Sequence, residues 1–381
     1  MTARGLYTLL FAALMLITAL SVGSAGAFLL GVAALCSLAV SLVSVLFAAG
    51  TLRLAQSADS DKVQRGDALA YTLQAQLFTP LPIAPLSLHM RLPSGRESEY
   101  LLASRLFGTT VSENAFSCPH VGLCEVGVTR CDLTDCFALF TLRLRVRMPL
   151  LKVTVLPVPA QAEKPAFSPG EGEHSITQRA LSDHTTPVDT RPWQDGDELK
   201  RVHWKLSMRR QSLMVHTYET PQRPDALLLL DCAAPGCAPT RAAFVIDCLT
   251  EECAGAAQVL LADGHPVRMP LSSGTAREVS GQDAKALTGF QEALAQTAFD
   301  APADFERVLL LASRRMRRTG ATLAYTSRLT PCVADALIAL SRMGPRTALT
   351  LVTDGELTDE QQKLLHLLQN SGVTARHVRC L

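Results

Sequence analysis

Between Gly5 and Leu52 the chain carries no charged residue, and this constrains its fold more than any other feature. Two apolar runs, "GLYTLLFAALMLITALSV" and "FLLGVAALCSLAVSLVSVLFAAGTL", flank the small-residue break "GSAGA". Each is roughly 18–24 residues long, about what a helix needs to cross a bilayer core. A cleaved signal peptide has one short apolar region rather than two, although "SVGSAGA" resembles a small-residue cleavage site. One buried core helix is the other alternative. Residues 1–53 are therefore expected to form a transmembrane helical hairpin in contact with membrane lipid. Arg4 precedes the first run, while Arg53, Lys62 and Arg65 follow the second, and the break has no charge. The positive-inside rule then places both ends and the soluble remainder in the cytoplasm of a multi-pass inner (plasma) membrane protein.

The remainder is electrically balanced. Lys+Arg 36 against Asp+Glu 35 gives a net charge of +1 over 381 residues. No global field favours nucleic acid, and "SRRMRR" at 313–318 reads as the solvated end of a helix. Eleven cysteines, an odd number, are scattered, several of them in apolar runs, which suits a reducing compartment. Cys118, Cys124, Cys131 and Cys136 cluster in sequence, but their spacings offer no C-x2-C pair of the kind zinc sites use. Ordinary packing is the expectation for them.

Residues 54–160 read as a β-rich domain. "DALAYTLQAQLF" alternates with period two, and "EVGVTRCDL", "FALFTLRLRVRM" and "LKVTVLPVP" are further strand-like runs separated by turn signals. A small antiparallel sandwich is expected. Residues 161–223 are read as a linker, rich in Pro, Gly, Glu and Ser, followed by a distinctive charged segment. From 224 to 381, short apolar strands alternate with amphipathic helices, beginning with "DALLLLD". That order predicts an α/β domain with a mostly parallel sheet and helices on both faces.

The charged segment, "TRPWQDGDELKRVHWKLSMRR" at 190–210, holds both tryptophans of the chain. With the residues after it, "RPWQDGDELKRVHWKLSMRRQSLMVHTYE" resembles the signature of a bacterial family called domain of unknown function 58. That pattern runs roughly R-x-Y-x-x-G-D, then R-x-I-x-W-x-x-S-A-R, then L-x-V and a closing Tyr/Phe-Glu. Arg191, Gly196, Asp197, Arg201, His203, Trp204, Ser207, Arg209, Leu213, Val215 and Glu219 fall on matching positions. Trp193 stands for the usual Tyr, Asp195 for Pro and Met208 for Ala. "RCDLTDCFALF" is similar to the family's R-D-P-F-G-L-F segment.

The resemblance covers the whole chain and implies a fold of two membrane spans, a β-domain and a von Willebrand factor A-like domain. It also implies work beside a MoxR-type AAA+ ATPase, and sometimes a transglutaminase-like membrane protein, in assembling or remodelling envelope or other complexes. The expected function is thus a membrane-anchored, non-enzymatic scaffold or adaptor. An adhesion-type, metal-dependent A domain is the first alternative, and a hydrolase using His203 and Ser207 the second.

No cofactor is expected, with magnesium the one candidate. An A domain holds its cation with D-x-S-x-S on the first strand, a distant Thr and a later Asp. Here "LLLLDCAAPG" supplies Asp231 but puts Ala233 and Pro235 at the serine positions, and "LVTDG" supplies Asp354. Two carboxylates without hydroxyl partners make a poor octahedral cage. The plainer expectation is that Asp231 and Asp354 cap the helices that follow them.

Hydrolytic chemistry at His203, Asp197 and Ser207 lacks any G-x-S-x-G elbow, H-E-x-x-H, P-loop or G-x-G-x-x-G in support. A structural role uses more of the residues. Asp197 would cap "ELKRVHWKLSMRR", and Arg191, Arg201 and Arg209 would pair with the acidic turn or with main-chain carbonyls. Trp193 and Trp204 would supply aromatic bulk, Trp204 acting as the apolar anchor of a fold lock. The rival role is a partner surface, because Trp and Arg dominate binding hot spots. Burial of Trp204 would mean a lock, and exposure would mean recognition.

Overall fold

The computed structural model describes residues 2–79, 81–103, 105, 107–167, 187–194, 199, 202–218, 224–271, 277–301, 304–314 and 319–380. Contacts divide the chain into two compact units, Met1–Pro157 and Val158–Leu381.

The first unit opens with α1 (Ala3–Val22) and α2 (Ala25–Thr51), both long and apolar enough to cross a bilayer. Thr2 and Ser24 cap them by accepting the N–H groups of Gly5 and Ala27, and Gly23, at φ +68°, ends α1 in the left-handed conformation. The helices meet along residues spaced by seven, with Gly5, Ala12 and Ala19 on α1 and Gly31, Leu38 and Val45 on α2 all buried. A side chain at Gly31 would sit 2.8 Å from Leu16 Cγ, so glycine there sets how closely the two backbones approach.

Two sheets follow. β1 (Arg53–Ala58), β3 (Ala68–Phe78) and β6 (Phe107–Ser117) form an antiparallel three-stranded sheet in the order β1-β3-β6. The second sheet has the order β2 (Lys62–Gln64), β9 (Leu151–Leu156), β7 (Gly122–Thr134), β4 (Leu86–Arg91) and β5 (Glu97–Leu102), with β8 (Thr141–Arg145) also paired to β7. β2 and β9 run parallel, a departure from the expected antiparallel set. Alternate residues of β3 turn inward as its period-two pattern requires. Leu69, Tyr71 and Leu73 join Leu88, Met90, Val126, Val128, Val153 and Val155 of the second sheet in one core. Val45 and Ala48 of α2 belong to that core too, so the last turns of the hairpin are built into the β-domain.

Cys118 and Cys131 are buried, Cys124 is half-buried and Cys136 is exposed. Burial pushes the Cys124 thiol up to about 11 and that of Cys131 up to about 12, which keeps them protonated at neutral pH. Among the described residues, no group of three or more His, Cys, Asp or Glu is placed to hold a metal ion.

The second unit begins with residues 158–167, expected to be linker or the end of the β-domain. They instead lie along α4 (Pro239–Ala262). The Ala160 N–H donates to Glu251 O at 3.0 Å, and the Phe167 ring stacks on His265 with centroids 4.0 Å apart. The remainder of the expected linker, from residue 168 to 186, lies outside the described residues. A two-stranded ribbon pairs β10 (Pro187–Pro192) with β11 (Met214–Tyr218), and the short helix α3 (Trp204–Arg210) lies between them in sequence.

The main sheet contains β12 (Asp225–Leu230), β13 (Val267–Leu271), β14 (Arg277–Gly281), β15 (Thr319–Thr326), β16 (Arg346–Thr353) and β17 (Thr374–Arg379). Its order is β14-β13-β12-β15-β16-β17, parallel except for the β14 edge. The continuous apolar run of β12 serves both faces. Leu228 and Leu230 pack with α4 and α5 (Leu287–Ala295). Leu227 and Leu229 pack with α6 (Phe305–Ser313), α7 (Pro331–Ser341) and α8 (Asp359–Asn370). This is the doubly wound arrangement the strand–helix alternation predicts.

Candidate functional site

The signature segment folds around β11. Val202 bridges Val215, and the His203 N–H donates to Met214 O at 2.8 Å, which carries the chain into α3 beside the ribbon. The helix begins at Trp204 and not at the acidic turn, and its cap is His203, whose Nδ1 accepts the Leu206 N–H at 3.2 Å. The cap expected of Asp197 falls on a residue outside the described ones, as do Gly196 and Arg201. Arg191 donates to the carbonyl of Pro192 at 3.2 Å, one of the main-chain contacts foreseen for the arginines.

Ser207 is the buried residue of α3. Its hydroxyl accepts the Met214 N–H at 2.8 Å and donates to His203 O at 3.0 Å. The hydroxyl and His203 Nδ1 thus each bond to main-chain groups.

The stitching that fastens α3 down therefore runs through Ser207, and Trp204 is not the anchor. Its indole is 60% exposed, and Met208, one turn later, is 80% exposed. Lys205, Arg209 and Arg210 are exposed on the same helix, which carries no acidic residue. The physical reason is orientation: the bonds of Ser207 and His203 to Met214 turn the Ser207 side of the helix toward β11, which leaves Trp204 and Met208 exposed. Trp193 is half-buried, its N–H donating to Leu213 O at 2.9 Å, and its indole Nε1 has no partner among the described residues. Exposed Trp204 and Met208, with three cations beside them, make an apolar patch with a basic rim.

The other expected site lies at the C-terminal edge of the main sheet, where β12 and β15 meet and the crossovers diverge. Asp231 is buried there. Its Oδ1 accepts the Ala233 N–H at 3.1 Å, and its Oδ2 accepts the Thr326 hydroxyl at 2.7 Å. Arg328 Nη2 lies 3.8 Å from the same carboxylate, and Arg241 Nη1 lies 3.6 Å from Asp354.

Neither aspartate caps a helix, contrary to expectation. α4 has Ala238 at its N-cap and no side-chain cap, because the loop after Asp231 carries the helix start away from it. α8 is capped by Thr358, in a reciprocal pair with Gln361. Each Asp231 oxygen accepts one hydrogen bond, and each of the two carboxylates has a guanidinium within 4 Å. Thr326 and Arg328 escaped sequence reasoning, since "YTSR" at a strand end carries no motif.

No family model matches the chain, and no curated protein does. Among solved structures the chain is similar to Cwp6 from Clostridium difficile, at 10% identity and TM-score 0.21, covering 85% of this chain and 49% of that one. It is similar to the sporulation control protein Spo0M from Bacillus subtilis at 13% identity and TM-score 0.15, covering 38% of this chain and 60% of that one. A GH20 exo-β-N-acetylglucosaminidase from Vibrio harveyi gives 8% identity and TM-score 0.20 over 84% of this chain and 71% of its own. The chain thus spans about half to three-fifths of the length of the first two. At TM-scores this low, none of the three assigns a fold or an activity.

Proposed function

We propose that the chain is a membrane-anchored scaffold or adaptor that recognises a protein partner through α3, without chemistry of its own. On this reading α1 and α2 span the inner membrane and the facing sheets of the first unit form a sandwich. The second unit is a von Willebrand factor A-like module on the cytoplasmic side. The order β14-β13-β12-β15-β16-β17, with its antiparallel edge, supports the A-like assignment. The observation that carries the proposal is the exposure of Trp204 on a helix held rigidly from beneath by Ser207. An exposed indole ringed by cations on a pre-organised element is the composition of a binding hot spot. The adhesion alternative loses ground at Asp231, where Thr326 and Arg328 occupy the surroundings a cation would need.

The resemblance to the domain of unknown function 58 family supplies the partner class, a MoxR-type AAA+ ATPase, with a transglutaminase-like membrane protein as a further associate. The test is affinity capture of the intact protein from host membranes, comparing the parent with a Trp204→Ala, Met208→Ala variant. The parent is expected to retain an AAA+ ATPase that the variant loses. Recovery of the same partners by both would sink the reading.

A further inference from the structure

The first unit has two ends of opposite character, and the ends of the helical hairpin mark which is which. α1 starts at Ala3 and α2, seven residues longer, stops at Thr51, so both open toward the β-domain, with α2 reaching about 10 Å further into it. There the Thr2 hydroxyl donates to Ala138 O at 2.6 Å, tying the start of α1 to the turn between β7 and β8. Arg53, at the start of β1, pairs with Gln76, which puts Phe78 at the hairpin end of β3 and, opposite it, Phe107 at the start of β6. The bridge between Ile83 and Asp135 brings the starts of β4 and the β7–β8 turn together, and Leu101 lies beside them through its pairing with Ser87.

The turns at this end read "TPLPIAP" (79–85), "ASRL" (103–106) and "DCFALF" (135–140). Connecting turns are ordinarily polar. These hold one cation, Arg105, and one acid, Asp135, and the acid is buried, accepting the N–H groups of Phe137 and Phe140. Phe78, Leu101, Phe107 and Phe137 leave 58, 72, 58 and 62% of their surface uncovered. Phe78 and Phe107 form an edge-to-face pair with centroids 4.9 Å apart, a rigid aromatic knob facing outward. Arg4, Arg53 and Arg105 are exposed around them. The opposite end of the same domain turns through "DSDKVQRGD" (59–67) and "LPSGR" (92–96), as a water-facing end should.

We infer that this rim, centred on Phe78, Leu101, Phe107 and Phe137, is a lipid-docking surface seated in the headgroup layer of the bilayer that α1 and α2 cross. The inference rests on the reading of those helices as spans. The occupant is set by position, since on the reading of α1 and α2 as spans this rim lies on the side of the β-domain where the hairpin enters it, with Thr2 bonded to Ala138 O and Arg53 following α2. Aromatic and aliphatic side chains with flanking arginines are the chemistry that holds a surface in an anionic interface. Val45 and Ala48 of α2 sit within the core of the β-domain, so domain and hairpin form one body. The domain would thus rest on the membrane and not swing from a tether.

Tryptophan quenching by brominated lipid tests this in the full-length protein, reconstituted one copy per nanodisc of phosphatidylcholine and phosphatidylglycerol. Trp193 and Trp204 are replaced by Phe, and one reporter is introduced at a time: Phe107→Trp at the rim, Leu14→Trp in the middle of α1, or Leu123→Trp at the far end of the domain. Should that background unfold, the difference in emission between Phe107→Trp and the parent protein reads the same quantity. Phe107→Trp is expected to lose roughly half its emission or more to lipid brominated just below the headgroup, and little to lipid brominated near the chain end. Leu14→Trp is expected to show the reverse depth preference, and Leu123→Trp no quenching. Quenching at Leu14→Trp without quenching at Phe107→Trp would overturn the docking surface and leave the spans standing. A blue-shifted, unquenched Phe107→Trp, marking cover by protein or by a second copy, overturns it equally. No quenching at Leu14→Trp would remove the spans and the inference together.

Discussion

Thr326 donates its hydroxyl to the buried carboxylate of Asp231 at 2.7 Å, joining the ends of two adjacent strands whose residues lie 95 positions apart. The Asp231 N–H donates to Tyr325 O at 2.9 Å, so main chain and side chain close the same junction. In this arrangement the carboxylate is a structural acceptor. Replacing Thr326 with Val keeps the shape and leaves one Asp231 oxygen short of a donor. The expected cost is about 1–3 kcal/mol, read as a fall in the denaturation midpoint of the second unit. Magnesium is expected to leave the midpoint of the parent unchanged. A clear rise with magnesium that Asp231→Ala abolishes would restore the adhesion reading.

Ser207 and Trp204 divide the labour on α3, and two substitutions separate them. Ser207→Ala strands the buried Met214 N–H and is expected to destabilise the ribbon by about 1–3 kcal/mol. Trp204→Ala removes an exposed side chain and is expected to change stability by no more than roughly 0.5 kcal/mol, while weakening partner capture. A large loss of stability at Trp204 would return the indole to the role of anchor.

Much of this architecture is legible in the sequence, and the omissions have physical causes. The charge-free stretch, the alternation in β3 and the doubly wound order each rest on long, strongly patterned runs. β14 was missed because an antiparallel edge strand buries little, and "REVSG" offers one apolar residue to mark it. α5 was missed because nine residues containing a glycine give barely two turns of pattern. Trp204 was ambiguous for a different reason. Trp204 and Met208 lie one turn apart on one face, but a seven-residue helix does not say whether that face turns inward or outward, and its orientation is set by what Ser207 can reach.

His377 gives the second unit a pH dependence. Burial, with the Arg379 guanidinium nearby, holds its imidazole below the ordinary value, and its Nε2 lies 2.7 Å from the Thr353 hydroxyl. The unfolded chain therefore takes up the proton more readily than the folded one. The contribution of His377 is fully present above the ordinary histidine range, near pH 6.5. It is lost as the pH falls through that value toward the lowered folded-state pKa, and is level below it. Denaturation midpoints measured from about pH 8 to about pH 5 should fall, and His377→Asn should flatten that part of the curve. An unchanged slope in the variant would assign the effect to other groups.

Gly255 tests whether residues 158–167 are seated on α4. A methyl group there would lie 2.1 Å from Ala160 O and 2.9 Å from the carbonyl carbon, closer than any Cβ approaches main chain. Two effects then oppose each other. Alanine is the better helix former by about 1 kcal/mol, so Gly255→Ala stabilises a helix whose outer face is open. If the segment is docked, the methyl forces it away, breaking the bond from Ala160 to Glu251 and pulling Phe167 off His265. Overpacking of this kind costs about 1–3 kcal/mol, which exceeds the helix gain over most of its range. The variant is therefore expected to melt earlier than the parent and to be cleaved within 158–167 by a protease that spares the parent. A rise in the midpoint with unchanged cleavage would mean that the segment leaves α4 bare in solution.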